Sequence, residues 1–442
     1  MIDVHLTTSS FIAIAVLLTV YFFLITEKVN KVLVSILGAM LLIVLQVFKT
    51  HDVTSQAGGF AFIANNLDVL FFVIGMMILV GIVKESGVFE SAAIWLAKKV
   101  KGKPVLLLIA ISYLTFFMTV FLSNIPTILI MLPVLIILIK ELKLPPLPYL
   151  LAVITMGNIG GAVTPFSDPT TYYQSKTVGL TFVEVVSNSG LIAFVLSIVS
   201  VTYISLIFNK QLKAVKVNPK DVAAFDPKAA IKDRKILAFG LPILALAILF
   251  MVMKDTISSI TGLTFDNATV VMIGAFLAML VFNKNPKDIF LNIVDWEIIF
   301  FFMGLFIVVG SLQYTGVVQA LAAGLVTLSH RNLPVLQFLI TFGSGILSMF
   351  IDNVPYNITM VGAIQSMGKI GIFIYPLWWA LNLGTSLGGA GSPIGAACNV
   401  VALGLAEKEK IHTRFMKYLA VGAPLVVINS LVTFAIIWLR YH

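Results

Sequence analysis

Three blocks of this chain occur twice each, in the same order and at almost the same spacing. "FFVIGMMILVGIVKESGV" from Phe71 aligns with "FFFMGLFIVVGSLQYTGV" from Phe300, pairing Gly75, Gly81 and Gly87 with Gly304, Gly310 and Gly316 at a shift of 229 residues. "SNIPTILIM" from Ser123 meets "DNVPYNITM" from Asp352 at the same shift, and "IGGAVTP" from Ile159 meets "LGGAGSP" from Leu387 at 228. Such self-similarity marks a duplicated structural unit. With 59% hydrophobic and 11% charged residues, the solvent of both units is a lipid bilayer.

Each half reads alike. Two long apolar helices precede a third that begins at about Asp68 or Glu297, and a short Ala-rich interfacial stretch follows. Then comes a long apolar segment, residues 104–140 or about 333–367, broken in its middle by S-N-I-P or D-N-V-P. A glycine-interrupted helix and a final helix complete the half. The broken segment is either two full crossings or a re-entrant hairpin with its tip at membrane depth, and both return the chain to its starting side. The net number of crossings per half is therefore odd, which inverts the second half relative to the first. The predicted fold is an all-α integral membrane protein of two inverted-topology repeats, each with five transmembrane helices, a re-entrant hairpin and an interrupted helix. Residues 1–208 and 236–442 form the repeats. The basic segment 209–235, with eight Lys/Arg against three Asp, links them.

This topology places 23 of the 29 Lys/Arg on one face, the linker's. The positive-inside rule makes that face cytoplasmic and puts both termini outside, in a plasma (inner) membrane. The first apolar run, roughly residues 10–26, follows Asp3 and His5 and precedes "TEKVNK", so it reads as a retained helix rather than a secretory signal.

Several function classes drop out. One cysteine, Cys398, allows neither an intrachain disulfide nor a cysteine metal cage, and the five histidines, His5, His51, His330, His412 and His442, lie apart. The expectation is no metal and no cofactor. No H-E-x-x-H, P-loop or nucleophile-elbow pattern is present, so an enzyme is not expected. The net charge of +9 sits in loops rather than on one exposed face, which argues against nucleic acid as a partner.

"LGTSLGGAGSPIGAACN", residues 383–399, places Gly384, Gly388, Gly389, Gly391, Gly395 and Pro393 where a transmembrane helix should run. Non-helical peptide at membrane depth is tolerated only where it is buried in protein or lines a polar cavity. These residues are expected to break the helix, with Thr385, Ser386, Ser392 and Asn399 covering the freed backbone groups or a ligand. Close helix packing would explain one such stretch equally well. "MGNIGGAVTPFSDPTT" from Met156, with Asn158, Gly160, Gly161, Thr164 and Pro165, repeats the pattern in the other half. Broken helices at matching positions of inverted halves point to a transporter's midplane site. At the tips of the broken segments, Ser123 and Asn124 precede Pro126, and Asp352 and Asn353 precede Pro355. This is N-cap chemistry followed by a first-turn proline, and helix N-termini attract polar or anionic ligands.

Asp168 and Asp352 are the acids expected in irregular segments at membrane depth, while every Lys and Arg flanks a helix end. A carboxylate there is a functional hypothesis by default. Without a basic partner it disfavours a multiply charged anion and suits neutral hydroxides, Na+ and protons. Asp352 is expected to be the principal coupling group. Asp168, past Pro165, is expected to reach Lys176 or the water interface and to matter less. Cys398, small and beside glycines, reads as packing.

"DNVPYNITM", "WWALNLGTSLGGAGSPIGAACNVVALGLAEK" and "NIGGAVTPFSDPTT" resemble the arsenite permease and Na+/H+ antiporter branch of the ion transporter superfamily, which also holds citrate and dicarboxylate carriers and the P protein. The resemblance implies one ion or substrate subsite at Ser123, Asn124 and Thr127, and its symmetric partner at Asp352, Asn353 and Asn357. It adds Asn158, Gly160, Thr164 and Asp168 to the first subsite, and Thr385, Gly389, Ser392 and Asn399 to the second. Ser123 stands where many relatives carry Asp, and Ala396 stands opposite Asp168. The resemblance also implies a homodimer moving a transport domain through a scaffold. The expected function is secondary active transport of a small inorganic ion or neutral metalloid hydroxide, arsenite-like, coupled to H+ or Na+ by alternating access. Na+/H+ antiport, cation-coupled carboxylate carriage and a passive channel are the alternatives.

Overall fold

A computed structural model describes residues 6–26, 28–48, 58–218, 222 and 224–442. Asp3, His5, Lys49 and His51 lie outside the described residues. The protein is all-α, with no sheet among the described residues, and eight of its helices are long and apolar enough to cross a membrane.

The first half contributes α1 (Thr8–Thr26), α2 (Lys31–Val44), α3 (Leu67–Lys84), α4 (Val88–Lys99), α5 (Pro104–Leu122), α6 (Asn124–Glu141), α7 (Pro146–Gly160), α8 (Pro169–Val178) and α9 (Phe182–Ile207). The second contributes α10 (Arg234–Thr261), α11 (Asn267–Val281), α12 (Trp296–Tyr314), α13 (Val317–Leu328), α14 (Leu333–Leu347), α15 (Asn353–Lys369), α16 (Tyr375–Gly391), α17 (Ala397–Lys408) and α18 (Phe415–Tyr441). Each of these helices in one half has a counterpart nine places on. α3 through α7 begin 229 residues before α12 through α16.

The packing repeats as well. α5 lies on α7 as α14 lies on α16, and α9 packs on α5 and α7 as α18 packs on α14 and α16. The first two helices are exchanged between halves: α1 and α2 pack on α12, while α10 and α11 pack on α3. The matched glycines explain how these contacts close. A Cβ at Gly75 would stand 2.8 Å from Val271 of α11, and one at Gly304 would stand 2.6 Å from the Ser35 backbone of α2. Gly87 and Gly316 each start a short helix from a left-handed conformation, at φ 78° and 81°, which glycine adopts without strain. Those helices, α4 and α13, have 12 residues each, about 18 Å at 1.5 Å per residue, too short to cross.

The turn at Ser123 stops partway along α3. Lys84, ending α3, donates to the Leu129 carbonyl of α6 at 3.2 Å, five residues beyond Asn124 and so about 8 Å of helix from the turn. At the other end of α3, Asp68 pairs with Lys176 of α8 at 2.5 Å. The turn therefore meets the interruption between α7 and α8, where Thr164 Oγ1 donates to the Val120 carbonyl at 2.9 Å.

One expectation is corrected here. The glycines of residues 383–391 do not break their helix, because α16 runs unbroken from Tyr375 to Gly391 and the interruption is confined to residues 392–396. A Cβ at Gly384 would meet the Thr341 carbonyl at 2.8 Å, and one at Gly388 the Gly345 carbonyl at 2.6 Å. These glycines let α14 lie against α16. Gly160 does the same for α7 and α5, with the Phe116 carbonyl 2.9 Å from where its Cβ would be.

Candidate functional site

Four helices, α6, α8, α15 and α17, start at the two turns and the two interruptions. Their first residues are brought together in pairs. Asn124, the first residue of α6, donates its amide to Asp168 Oδ2, and Asp168 caps α8 by accepting from Thr170 N at 2.7 Å and Thr170 Oγ1 at 2.6 Å. Across the site, Asp352 caps α15 through Val354 N at 3.0 Å and faces the Ala397 backbone N–H at the start of α17. The two carboxylates lie close enough for their charges to repel. Asp168 is the one charged side chain fully buried among the described residues.

Between the pairs lies an amide network. Asn158 of α7 donates to Asn399 Oδ1 at 3.0 Å, and Asn399 donates to the Gly389 and Ser392 carbonyls at 2.5 and 2.8 Å. Asn399 thus satisfies backbone groups freed by the interruption, which would otherwise be costly at depth. Ser392 donates to the Met349 carbonyl, tying the interruption to the second turn. Gly389 is the place where α16 passes Asn158, since a Cβ there would stand 2.7 Å from Asn158 Oδ1. Cys398 is buried beside these amides, with Sγ 3.4 Å from Asn399 Oδ1.

Most of the sequence-predicted residues converge, with differences. Asp168 reaches neither Lys176 nor water, because Lys176 pairs with Asp68 and Asp168 is drawn in by Asn124. Ser123 makes no side-chain cap and sits at φ 70°, so the turn before α6 is a left-handed bend rather than a serine cap. Thr385 donates to its own helix at the Leu381 carbonyl, 2.7 Å away. Asn353 is buried at the start of α15. Thr127 Oγ1 and Asn357 Oδ1 are buried without a hydrogen-bond partner.

Three residues of the network were not anticipated. Gln174 of α8 donates to the Trp378 carbonyl at 2.9 Å and accepts from Asn357 at 3.2 Å. Asn382 of α16 accepts from Thr171 at 2.9 Å and donates to Ser189 and the Ala162 carbonyl at 3.0 and 3.1 Å. Tyr172 stacks on Phe72 with centroids 4.3 Å apart and planes 6° from parallel. An Asn inside "WWALNL", at membrane depth, was the available signal for Asn382.

Two cavities reach the turns from one face. A cavity of about 390 Å³ leads from Asn30, Lys31, Asp295 and Glu297 to Asp352. Another, of about 450 Å³, leads from Lys84, Glu85 and Lys232 to Ile125 and Pro126. Asp295 borders both, and Lys232 puts them on the linker's face. On the opposite face a cavity of about 300 Å³ between Lys176, Lys254 and Asp266 is floored by Pro165, Phe166 and Tyr172 and does not reach either turn.

A multi-pass helical protein with paired interrupted helices around a buried polar centre has the build of a secondary transporter of small solutes. The chain belongs to the citrate transporter family, whose model matches residues 21–384. It is 32% identical over 438 residues to an uncharacterized transporter of Mycobacterium tuberculosis, covering 98% of this chain and 99% of that one. The P protein of Sus scrofa is 26% identical over 501 residues, covering 95% of this chain and 58% of that one. Among solved structures, the Alcanivorax borkumensis YdaH transporter shares the fold at a TM-score of 0.55 and 15% identity, covering 96% of this chain and 98% of that one. Neisseria gonorrhoeae MtrF, described with a class of antimetabolite efflux pumps, does so at 0.55 and 12%, covering 94% and 96%.

Proposed function

We propose that the protein is a cation-coupled carboxylate carrier working by alternating access between two inverted repeats. The observation that carries this reading is the pairing of four helix N-termini around Asp168 and Asp352. Free N–H groups and the positive ends of helix dipoles receive carboxylate oxygens without a basic side chain, and transporters use broken helices this way. The two aspartates are the cation side of the site. With both ionised, an anion is repelled; once H+ or Na+ occupies them, the N-termini of α6, α8, α15 and α17 dominate. Binding of the coupling ion thus precedes binding of the solute. Asn124, Thr127, Asn353 and Asn357 are assigned to solute or ion contact, while Asn158, Thr164, Ser392 and Asn399 hold the interruptions in place. Asn353, Asn357 and Thr127 lie within the first turns of α15 and α6, which suits that division.

The reciprocal packing of the halves supports inversion, and Ser123 and Asp352 are then the tips of re-entrant hairpins. The basic linker supports a cytoplasmic position for its own face and for both open cavities. The site would then be open inward. A homodimer in a plasma membrane completes the proposal.

A second reading, transport of a neutral metalloid hydroxide or small inorganic ion, is favoured by the absence of any buried Lys or Arg among the described residues. Flux in proteoliposomes separates the two. Citrate, succinate, arsenite, antimonite and silicic acid are offered across imposed pH and Na+ gradients, with Na+ and Li+ flux read alone. Gradient-driven accumulation of a carboxylate is expected. Accumulation of a hydroxide alone, Na+/H+ exchange without solute, or downhill leak without counterflow would each replace it.

A further inference from the structure

The two halves differ at one seam. On α5, residues 108, 112, 115 and 119 share a helix face. Leu108 is apolar, and Ser112, Thr115 and Thr119 turn their hydroxyls to backbone carbonyls one turn back, at 2.7, 2.9 and 2.9 Å. The corresponding face of α14 carries Gln337, Thr341, Ser344 and Ser348. Gln337 is completely buried with both its donor and its acceptor unpartnered, and Thr341 Oγ1 is also buried and unpartnered. α18 lies against this face, and Ser430 Oγ stands 2.9 Å from where a Gly345 Cβ would be. Ser430 Oγ, Thr433 Oγ1 and Asn429 Oδ1 of α18 are likewise unpartnered, each at most 1% exposed. At a shift of 229 residues Ser430 and Thr433 stand opposite Val201 and Ile204, and at 228 opposite Thr202 and Ser205.

Unpaired polar groups at membrane depth are expensive, and a seam that gathers five such side chains, where the counterpart helices have Thr155 and Ser205, points to an occupant. Water fits better than a metal ion. A cation would satisfy hydroxyl and amide oxygens but leave the Gln337 amide N–H groups unpaired, whereas water both donates and accepts and needs two to four polar partners. The file has a direction. Gln337 lies near the start of α14, on the face opposite the linker. Two turns further on, Ser344 donates to Tyr356 Oη at 3.3 Å, and Tyr356 follows Asp352 by one helical turn.

We propose that this seam holds a file of ordered water that conducts protons from the face opposite the linker to Asp352. The destination rests on the proposed coupling role of Asp352, but the hydration does not. The other titratable groups around that carboxylate are Tyr21, Lys31, Asp168, Tyr356 and Cys398, with Asp295 and Glu297 across the cavity, and of these Tyr356 touches the seam, through Ser344.

The water is tested without any substrate. In sealed vesicles and a Cys398→Ala background, Gln337→Cys, Thr341→Cys and Thr433→Cys are exposed to Ag+ from the face opposite the linker. Loss of free thiol is expected at all three, and none at Leu108→Cys or Ser112→Cys in the counterpart seam. Three folded, unreactive thiols would overturn the proposal. The proton role is tested by Gln337→Leu with Thr433→Ile, which copy the first half. Solute counterflow should persist while pH-gradient-driven accumulation is lost, and undiminished accumulation would also overturn it. If the wild type moves no carboxylate, the substrate assignment fails while the Ag+ result stands.

Discussion

Asn124 and Asp168, 44 residues apart, join the start of α6 to the start of α8 through an amide-to-carboxylate hydrogen bond. Asp168 is thereby drawn to the start of α6, and we propose that it ranks with Asp352 in coupling. Asp168→Asn retains an oxygen to cap Thr170, so the protein should fold, yet gradient-driven transport should be lost as fully as in Asp352→Asn. Asp168→Ala should also lose the cap, at about 1 kcal/mol. Purified variants compared for melting temperature and for uptake separate the two effects. Wild-type accumulation by Asp168→Asn would remove it from the coupling machinery.

Tyr172, stacked on Phe72 beside the Asp68–Lys176 pair, helps floor the cavity on the face opposite the linker. Val400 stands at the corresponding place in the other half and borders the cavity that does reach Asp352. Tyr172→Val should therefore open a way to the first turn. In a Cys398→Ala background, Ser123→Cys should react faster with a polar thiol reagent from that face when Tyr172→Val is added. An unchanged rate would mean that the stack is not the barrier.

Gly388→Ala places a methyl 2.6 Å from the Gly345 carbonyl and 2.7 Å from Ser348 Cβ. Overpacking against backbone costs about 1–3 kcal/mol. Gly404→Ala, within α17 with nothing within 4 Å of the added carbon, should instead stabilise by about 0.5–1 kcal/mol. Thermal unfolding in detergent should move in opposite directions for the two.

Asn399→Leu removes the donors to the Gly389 and Ser392 carbonyls and the acceptor for Asn158. Leaving a buried polar group unsatisfied costs about 1–3 kcal/mol. A lowered melting temperature together with lost transport is expected. Retention of both would show that the interruption between α16 and α17 is held by other contacts.

The duplication, the two turns and the interruptions were legible because they depend on local chemistry: an Asn-X-Pro after an apolar run, or Gly beside Ser-Pro. α3 and α12 begin at Leu67 and Trp296, one residue before the expected Asp68 and Glu297. The glycines of α16 misled because glycine permits a break and a close approach equally, and only the position of α14 decides between them. Asp168 misled because its partner lies 44 residues away on a separate helix, a distance no pattern encodes. Gln174 and Tyr172 escaped for the same reason, since each acquires its meaning from Asn357 and Phe72 across the fold.

The exchange of α1–α2 onto α12 and of α10–α11 onto α3 bears on biogenesis. When the ribosome has delivered residue 208, α2 has no α12 to receive it and α3 still lacks α11. In the first half α5, α7 and α9 can already pack on one another, but α3 and the α1–α2 pair lack their partners, and the face at Gly75 waits for Val271 and Met272. Neither half completes its packing alone, and the linker has to leave each free to clasp the other.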